Sequence, residues 1–488
     1  MSGDWQVLLA IFLPLLGALG IAAAGRWPNL RESVTLVTAV SLTVIVWSLL
    51  PAVFAGERPA ALLAAGIADV PIAFKVEPLG MLFAALASLL WIVNSVYSIG
   101  YMRGNQESHQ TRFYICFAVA LSAAMGIAFA GNLLTLFLFY EMLTLSTYPL
   151  VAHKGDAATV KQARVYLGIL LGTSIGLLLP AMLWIYLATG TLDFIPGGIV
   201  AGYIEGPALG LLLALCVFGV GKAAVMPVHR WLPAAMVAPT PVSALLHAVA
   251  VVKAGVFTIT KLIVYVFGVE YLFAEPSSGW LVYVAAFTVL AASVVALRQT
   301  NLKRLLAYST IGQLSYVVMA AAVLKPLAEV GAAVHIAAHA FGKITLFFAA
   351  GAIYTAAKKT EIWQLRGIGR RMPWTMAAFT VGALSMVGVP PTAGFVSKWF
   401  ILAGAFQSDN LLVIFTIIIS TALNAAYFLP IVFRAWFREE DVLLKPDHGE
   451  APWPMVLALT TTALLTLAFF VGNQPVIDLE LQLVRPAP

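Results

Sequence analysis

The chain has 488 residues, of which 61% are hydrophobic and 10% are charged, and its formal net charge is +6. A soluble protein of this size would carry roughly 25% charged residues, so the composition excludes a water-soluble enzyme. The positive charge lies in loops between apolar runs, so it does not indicate nucleic-acid binding. These runs are about twenty residues long, which is enough for a helix to cross roughly 30 Å of hydrocarbon.

Fourteen membrane spans are predicted along the chain. The runs are continuous, which is typical of helices and not of alternating β-barrel strands. No cleavable signal peptide is evident, so the first span is expected to act as its own insertion signal. The sequence therefore predicts an all-α polytopic membrane protein. The predicted spans are 5–25, 33–55, 78–99, 112–130, 132–151, 160–189, 206–235, 240–268, 278–297, 302–323, 327–355, 374–408, 409–437 and 453–472.

Lysines and arginines divide unevenly between the two sides of the predicted membrane. Nineteen lie in loops after odd-numbered spans, and four lie on the other side. By the positive-inside rule the first side is cytoplasmic, so both termini are predicted to lie outside an inner (plasma) membrane. Cys116 and Cys216 fall in different spans, and we expect buried packing residues rather than a disulfide or metal ligands.

Two of the long spans are interrupted by proline. The segments are "GVGKAAVMPVHRWLP" (219–233) in the seventh span and "SMVGVPPTAGFVSKWF" (385–400) in the twelfth. Proline also kinks membrane helices without a further role. Two matching interruptions five spans apart instead favour inverted repeats of helices 4–8 and 9–13 around a transport site. The predicted divisions are N-terminal helices 1–3 (1–110), a first repeat (111–270), a second repeat (277–437), and a polar loop with helix 14 (438–488).

One acidic residue lies deep in a predicted span. Of 22 Asp and Glu residues, Glu141 alone is far from both span ends, within "LFLFYEMLTLSTYPLV". Because an isolated charge at this depth is costly, Glu141 must be neutral, paired or facing a wet interior. A protonated glutamate that only bonds a neighbouring helix is the structural alternative. Four lysines at mid-depth offer partners, whereas Lys261 lies nearer the outer end and is expected to snorkel. The four are Lys222, Lys253, Lys343 and Lys398.

Histidines accompany these lysines. His335, His339 and Lys343 are spaced at i, i+4 and i+8, so they line one helix face over about 12 Å. His247 precedes Lys253 by six residues. Because imidazole both accepts and donates protons near neutral pH, the pattern indicates a proton relay. A single buried histidine is more often a hydrogen-bonded packing residue. In span ten, Ser309 and Gln313 would either hold water or bond between helices.

Several motifs resemble one family. "FLFYEMLTLSTYPLV", "KAAVMPVHRWLPAAMVAPTPVSALLHAVAVVKAGVF", "LKRLLAYSTIGQLSYVVMA", "HIAAHAFGKITLFFAAG" and "GVPPTAGFVSKWFIL" are similar to the antiporter-like subunits of respiratory complex I and the large subunits of Mrp-type sodium/proton antiporters. The resemblance implies fourteen helices, inverted repeats, and breaks in helices seven and twelve. It also implies a proton path through Glu141 paired with Lys222, then Lys253, the relay of His335, His339 and Lys343, and finally Lys398.

The resemblance also narrows the function. Lys398 stands where the middle antiporter-like subunit of complex I typically has glutamate, and the long C-terminal additions of the largest subunits are missing. The chain is thus similar to the D-type large subunit of Mrp antiporters, which implies the proton-translocating subunit of a multisubunit sodium/proton antiporter. A proton-pumping subunit of a complex I-type NADH-quinone oxidoreductase, membrane hydrogenase or bicarbonate-uptake complex remains open, as does a scaffold with vestigial charges.

Cofactors and partners follow from the same features. The chain contains no CxxC motif and no dinucleotide-binding glycine loop, so no cofactor is expected and any redox chemistry would belong to another subunit. His335 and His339 lack a third metal ligand, so no metal site is expected. The expected partners are other membrane subunits, lipids and protons, with sodium transport by this subunit left open.

Overall fold

The structure is a computed structural model that describes residues 3–67, 69–440 and 449–484. In chain order, its first α-helices are α1 Gly3–Ala23, α2 Pro28–Trp47, α3 Leu50–Phe54, α4 Pro78–Gly104, α5 Gln110–Ala128, α6 Leu133–Val151, α7 Ala157–Thr173, α8 Leu179–Thr189, α9 Gly206–Gly219, α10 Trp231–Ala234, α11 Thr240–Ala244 and α12 Val251–Leu262. The remaining α-helices are α13 Val269–Ala274, α14 Trp280–Leu297, α15 Leu302–Ala321, α16 Pro326–Ala357, α17 Pro373–Val387, α18 Ala393–Gln407, α19 Leu411–Phe437, α20 Trp453–Val471 and α21 Gln474–Val484.

Shorter elements complete the chain. The π-helical turns are Ser174–Leu178, Leu245–Val249 and Ile263–Phe267. The first two join neighbouring α-helices into continuous rods, and the third ends the rod of residues 240–267. The 3-10 turns are Gly221–Ala223, Val228–Arg230, Ala235–Val237, Pro276–Ser278, Ile362–Leu365 and Ile368–Arg370. The strands β1 Ala60–Ile67 and β2 Val70–Lys75 form an antiparallel hairpin in which Ala60 pairs with Lys75.

Every predicted span coincides with a helix or a pair of helices. Within the described residues, eleven helical segments are long and apolar enough to cross a membrane. The other three of the fourteen predicted spans are the seventh, the tenth and the twelfth. The seventh and the twelfth are each split into shorter helices. The tenth is α15, whose first turn contains two basic residues in "LKRLL". The predicted all-α polytopic membrane fold is confirmed. The order and orientation of the proposed repeats and the four domain boundaries stay predictions.

The two proline-containing spans are broken as expected. In the seventh span, α9 ends at Gly219 and the chain runs through 3-10 turns before α10. In the twelfth span, α17 ends at Val387 and α18 begins at Ala393, with Gly388 at a φ of 90°. Proline lacks the amide proton that a helix needs, and glycine adopts positive φ without a steric penalty. Both breaks leave backbone carbonyls free for other donors.

The helices that carry most of the predicted polar residues lie at the centre of the bundle. In the rod of residues 240–267 and in helix α16, every residue of an apolar 18-residue stretch is buried. In α1, α2–α3 and α20, most residues of the corresponding stretch are not buried. Around α16 pack α4, α11, α15, α17, α18, α20 and α21. Ionisable groups on these two central helices therefore face protein rather than lipid, which is the arrangement expected of functional intramembrane charges.

Two elements at the chain's polar segments differ from the sequence prediction. The stretch 56–77 is predicted only as a polar connection, but it contains the β1–β2 hairpin. Strand β1 consists mainly of alanine and leucine, so it lacks the alternation of apolar and polar residues that identifies a half-buried strand. After α20, the helix α21 packs against α4 and α16. Part of the predicted polar loop at 438–452 lies outside the described residues.

Candidate functional site

Lys222 lies in the break of the seventh span and is fully buried. Its ammonium group donates to the carbonyl oxygen of Tyr140 at 2.8 Å and to the hydroxyl of Thr144 at 2.6 Å, both on α6. The Lys222 Nζ atom also lies 3.1 Å from the centroid of the Tyr140 ring. Opposite α6, the break packs on Gly255 of α12, where a Cβ atom would come within 2.3 Å of the Lys222 carbonyl carbon. The glycine permits α12 to approach the lysine closely.

Glu141 lies beside this lysine without touching it. Both of its carboxylate oxygens are buried, and neither has a hydrogen-bond partner among the described residues. Glu141 and Lys222 still interact electrostatically. Glu141 and Lys222, the pair expected from the family resemblance, are therefore neighbours that do not form an ion pair. The Lys222 ammonium group instead donates to Tyr140 and Thr144. An unpartnered buried carboxylate is costly, so both oxygens of Glu141 are open to a further hydrogen-bond donor.

Lys253 connects the eighth span to the eleventh. Its Nζ atom lies 2.5 Å from Nδ1 of His339, and both residues are buried. One turn earlier on α16, the His335 ring is stacked on the His339 ring at a centroid distance of 6.1 Å. His335 Nδ1 lies 2.8 Å from the hydroxyl of Ser397 on α18, next to Lys398. Lys253 and His339 are 86 positions apart in the sequence, and His335 and Ser397 are 62 positions apart.

Lys343 begins a second branch. Its ammonium group donates to the Ser309 hydroxyl at 2.9 Å, and the Tyr427 hydroxyl lies 3.1 Å from the same oxygen. Tyr427 is also hydrogen bonded to the side-chain oxygen of Asn424. Sequence reasoning proposed Ser309 but missed the two residues on α19. Their signal was the spacing of Ser420, Asn424 and Tyr427 at i, i+4 and i+7, a polar face on an otherwise apolar helix.

Lys398 ends the second branch at the break of the twelfth span. Its ammonium group donates to the carbonyl oxygens of Val387 at 2.9 Å and Met386 at 3.1 Å, which the helix break leaves free. The Asn424 amide donates to the same Met386 oxygen at 3.3 Å. Lys343 and Lys398 are thus joined through Ser309, Tyr427, Asn424 and one backbone carbonyl.

Two further basic residues differ in their position. His247 is buried, its ring lies 4.7 Å from that of Phe347, and neither ring nitrogen has a hydrogen-bond partner among the described residues. It interacts electrostatically with Lys343, so it lies beside the row without joining it. Lys261 was expected to snorkel, but this prediction is wrong, because the residue is 1% exposed and ion-paired with Glu77 at 3.4 Å.

The described residues contain no group of three or more His, Cys, Asp or Glu side chains that could hold a metal ion. Cys116 and Cys216 are free thiols. Glu141, Lys222, Lys253, Lys343 and Lys398 instead have chemistry suited to binding and releasing protons. The eight predicted site residues lie in one region between the two broken helices. No hydrogen bond among the described residues links Lys222 to Lys253.

Comparisons with known proteins agree with this architecture. The sequence profile described as "NADH:quinone oxidoreductase/Mrp antiporter, TM" matches residues 130–424. NADH-quinone oxidoreductase subunit N of Desulforudis audaxviator (strain MP104C) is 31% identical over 373 residues, which cover 74% of this chain and 72% of that protein. The putative antiporter subunit mnhA2 of Staphylococcus haemolyticus (strain JCSC1435) is 29% identical, over 83% of this chain and 53% of that protein.

A solved structure shows the same fold. The Mrp complex from Dietzia sp. DQ12-45-1b contains a chain that superposes with a TM-score of 0.86 at 21% identity, covering 98% of this chain and 97% of its own length. The named relatives are subunits of multisubunit membrane complexes. From the profile match and the identity to subunit N, the chain belongs to the NADH:quinone oxidoreductase/Mrp antiporter transmembrane family.

Proposed function

We propose that the chain is the proton-translocating subunit of a multisubunit sodium/proton antiporter. The observation that supports this most directly is the row of buried ionisable and hydroxyl groups that runs from Lys222 at one helix break to Lys398 at the other. The Lys253–His339 contact at 2.5 Å joins the two halves of this row. Packing alone does not require four buried lysines, because each carries a desolvation cost.

The Lys222 site suggests how one step is controlled. With Glu141 protonated, Lys222 remains bound to Tyr140 and Thr144 on α6. If Glu141 loses its proton, its charge attracts the Lys222 ammonium group, because Coulomb attraction is strong in a water-poor interior. Pairing would hold the proton on Lys222, and separation would release it toward Lys253. The charge state of Glu141 would in this way control proton movement along the row.

A redox-driven complex is the second candidate. It is favoured by the 31% identity to a protein named as a subunit of NADH-quinone oxidoreductase. In such a complex, electron transfer in partner subunits would drive the same row of groups. In either case we propose an inner-membrane location, partners that are membrane subunits, and both termini on the outer side, as the distribution of basic residues suggests.

The central test is Glu141→Gln, which keeps the side chain's size but removes its charge. We expect the complex to assemble and proton-coupled transport in inverted vesicles to fall at least about a hundredfold, the loss typical for a removed proton-transfer group. Glu270→Gln, at the exposed N-terminus of α13, is the matched control. Unchanged transport in Glu141→Gln would refute the proposed role.

Purifying the native complex separates the two candidate functions. Hydrophobic membrane subunits alone would support the antiporter, whereas co-purifying iron–sulfur or flavin subunits would support the redox complex. The antiporter assignment further predicts that an imposed pH gradient drives sodium movement in vesicles that contain no electron donor. Transport that depends strictly on an electron donor would contradict it.

A further inference from the structure

A second group of buried charges lies at the end of the bundle that carries the β-hairpin. Glu77, between β2 and α4, is 3% exposed, and its two oxygens lie 3.4 Å from Lys75 Nζ and 3.4 Å from Lys261 Nζ. Lys261 also donates to the carbonyl oxygen of Ala130 at 2.7 Å. Lys75 reaches the surface, with 37% of its side chain exposed. The group therefore connects the interior of the eighth span with the surface beside the hairpin.

Another buried carboxyl group completes this cluster. Glu480 on α21 is 0% exposed, and neither of its oxygens has a hydrogen-bond partner among the described residues. Tyr265 interacts electrostatically with both Glu480 and Glu77. Arg58 donates to Gln482 at 2.8 Å and holds α21 at this end. An ionised carboxylate without a partner would be strongly destabilising here, so Glu480 is suited to holding and releasing a proton.

The cluster lies along the same helix as the central row. Lys261 follows Lys253 by eight residues on the continuous rod 240–267, so it lies about 12 Å further along the helix and about 80° around its axis. Phe257 occupies the position midway between them, with its ring centroid 5.6 Å from Lys261 Nζ. The π-helical turn Ile263–Phe267 follows at once, and such turns are frequent at functional sites.

We propose that Glu77, Lys261 and Glu480 form the proton outlet of the central row at the hairpin end, with Phe257 separating the outlet from Lys253. This inference rests on the proposed function. A proton that passes Phe257 through transient water binds the Glu77 carboxylate and neutralises it, which weakens its attraction for Lys261. The proton then leaves to solvent beside Lys75, directly or after residing on Glu480, and the Glu77–Lys261 pair forms again. One proton enters and one leaves, and no other bond changes.

A paired substitution distinguishes an outlet from a structural ion pair. Glu77→Gln alone would leave Lys261 as an uncompensated buried charge and could prevent assembly. The double variant Glu77→Gln/Lys261→Gln removes both charges together. We expect it to assemble, while proton-coupled transport in vesicles falls at least about tenfold because a positioned proton acceptor is lost. If the pair only stabilises the fold, the double variant transports at the wild-type rate, and the proposal is refuted. Glu57→Gln, exposed before the hairpin, is the control.

Glu480 offers an independent test on another element. Glu480→Gln preserves the shape of the buried side chain, and Asp478→Asn changes an exposed acid two residues away on the same helix. We expect transport to fall about tenfold in the first variant and to stay unchanged in the second. Equal rates in the two variants would remove Glu480 from the outlet. If Glu141→Gln abolishes transport while the double variant at Glu77 and Lys261 does not, the outlet is wrong but the proposed function stands. Unchanged transport in Glu141→Gln refutes the function itself.

Discussion

Replacing Thr144 by valine removes one of the two α6 acceptors of Lys222 while preserving the shape of the side chain. The lost bond is the shorter one, at 2.6 Å against 2.8 Å for the Tyr140 carbonyl. Hydrogen bonds to charged groups contribute about 1.5–3 kcal/mol. If this loss falls wholly on the state in which Lys222 is bound to α6, that state becomes between about 10-fold and 150-fold less populated. Lys222 would then remain with Glu141, and proton release toward Lys253 would slow.

The assay is proton-coupled cation exchange in inverted vesicles, normalised to the amount of assembled complex. Thr144→Ser keeps the hydroxyl group and should retain most of the activity. Thr147→Val is the matched control, because Thr147 lies one turn along α6, is equally buried, and bonds to Tyr166 rather than to Lys222. A wild-type rate in Thr144→Val, or an equal loss in Thr147→Val, would refute the idea that α6 holds Lys222 for a transport step.

Three further predictions concern other parts of the molecule. Ser309→Ala should lower transport about tenfold or more, because Lys343 loses an acceptor at 2.9 Å; Ser315→Ala, a buried serine on the same helix, should not. Gly255→Ala should lower the Tm of the purified complex, because its Cβ would lie 2.3 Å from the Ala223 backbone nitrogen; Gly168→Ala, with open space around it, should leave Tm unchanged. Burial raises the pKa of Glu480 from its usual value of 4.5 to about 8, so docking of α21 is strongest when this carboxyl group is protonated and weakens as the pH rises from about 4.5 to about 8. Hydrogen exchange in α21, corrected for intrinsic rates, should rise over that range in the wild type and not in Glu480→Gln.

The sequence predicted the membrane fold well because its signals are local. A twenty-residue apolar run is visible without knowing its neighbours, and a proline inside such a run marks the break. The positions of Lys222 and Lys398 at the two breaks followed directly from this. The β-hairpin and α21 were missed because their composition lacks clear periodicity and because they are held by contacts such as Arg58–Gln482, which join residues 424 positions apart.

The predicted site residues were identified by a simple physical criterion, namely a charge far from either end of an apolar span. This criterion finds Lys253 and Lys343, but it fails where a loop folds back over a helix end. Glu77 and Glu480 were counted among acids in loops and at span ends, yet both are buried. Lys261 was dismissed for the same reason. The sequence shows only how far a residue lies from the ends of its span. Whether its side chain loses contact with water depends on which other elements cover those ends.

The contacts of Glu141 show where sequence reasoning stops for a different reason. The sequence places Glu141 and Lys222 at similar depth in their spans. It does not show that the Glu141 carboxylate, the Tyr140 carbonyl and the Thr144 hydroxyl are alternative acceptors for the Lys222 ammonium group. The Tyr140 carbonyl and the Thr144 hydroxyl bind it without the cost of an ionised carboxylate, since neither carries a net charge. Lys222 and Glu141 are therefore not hydrogen bonded to each other in this structure. If the site changes its pairing during transport, as we propose, it needs two nearly balanced arrangements, and α6 carries the acceptors for both within about one helical turn.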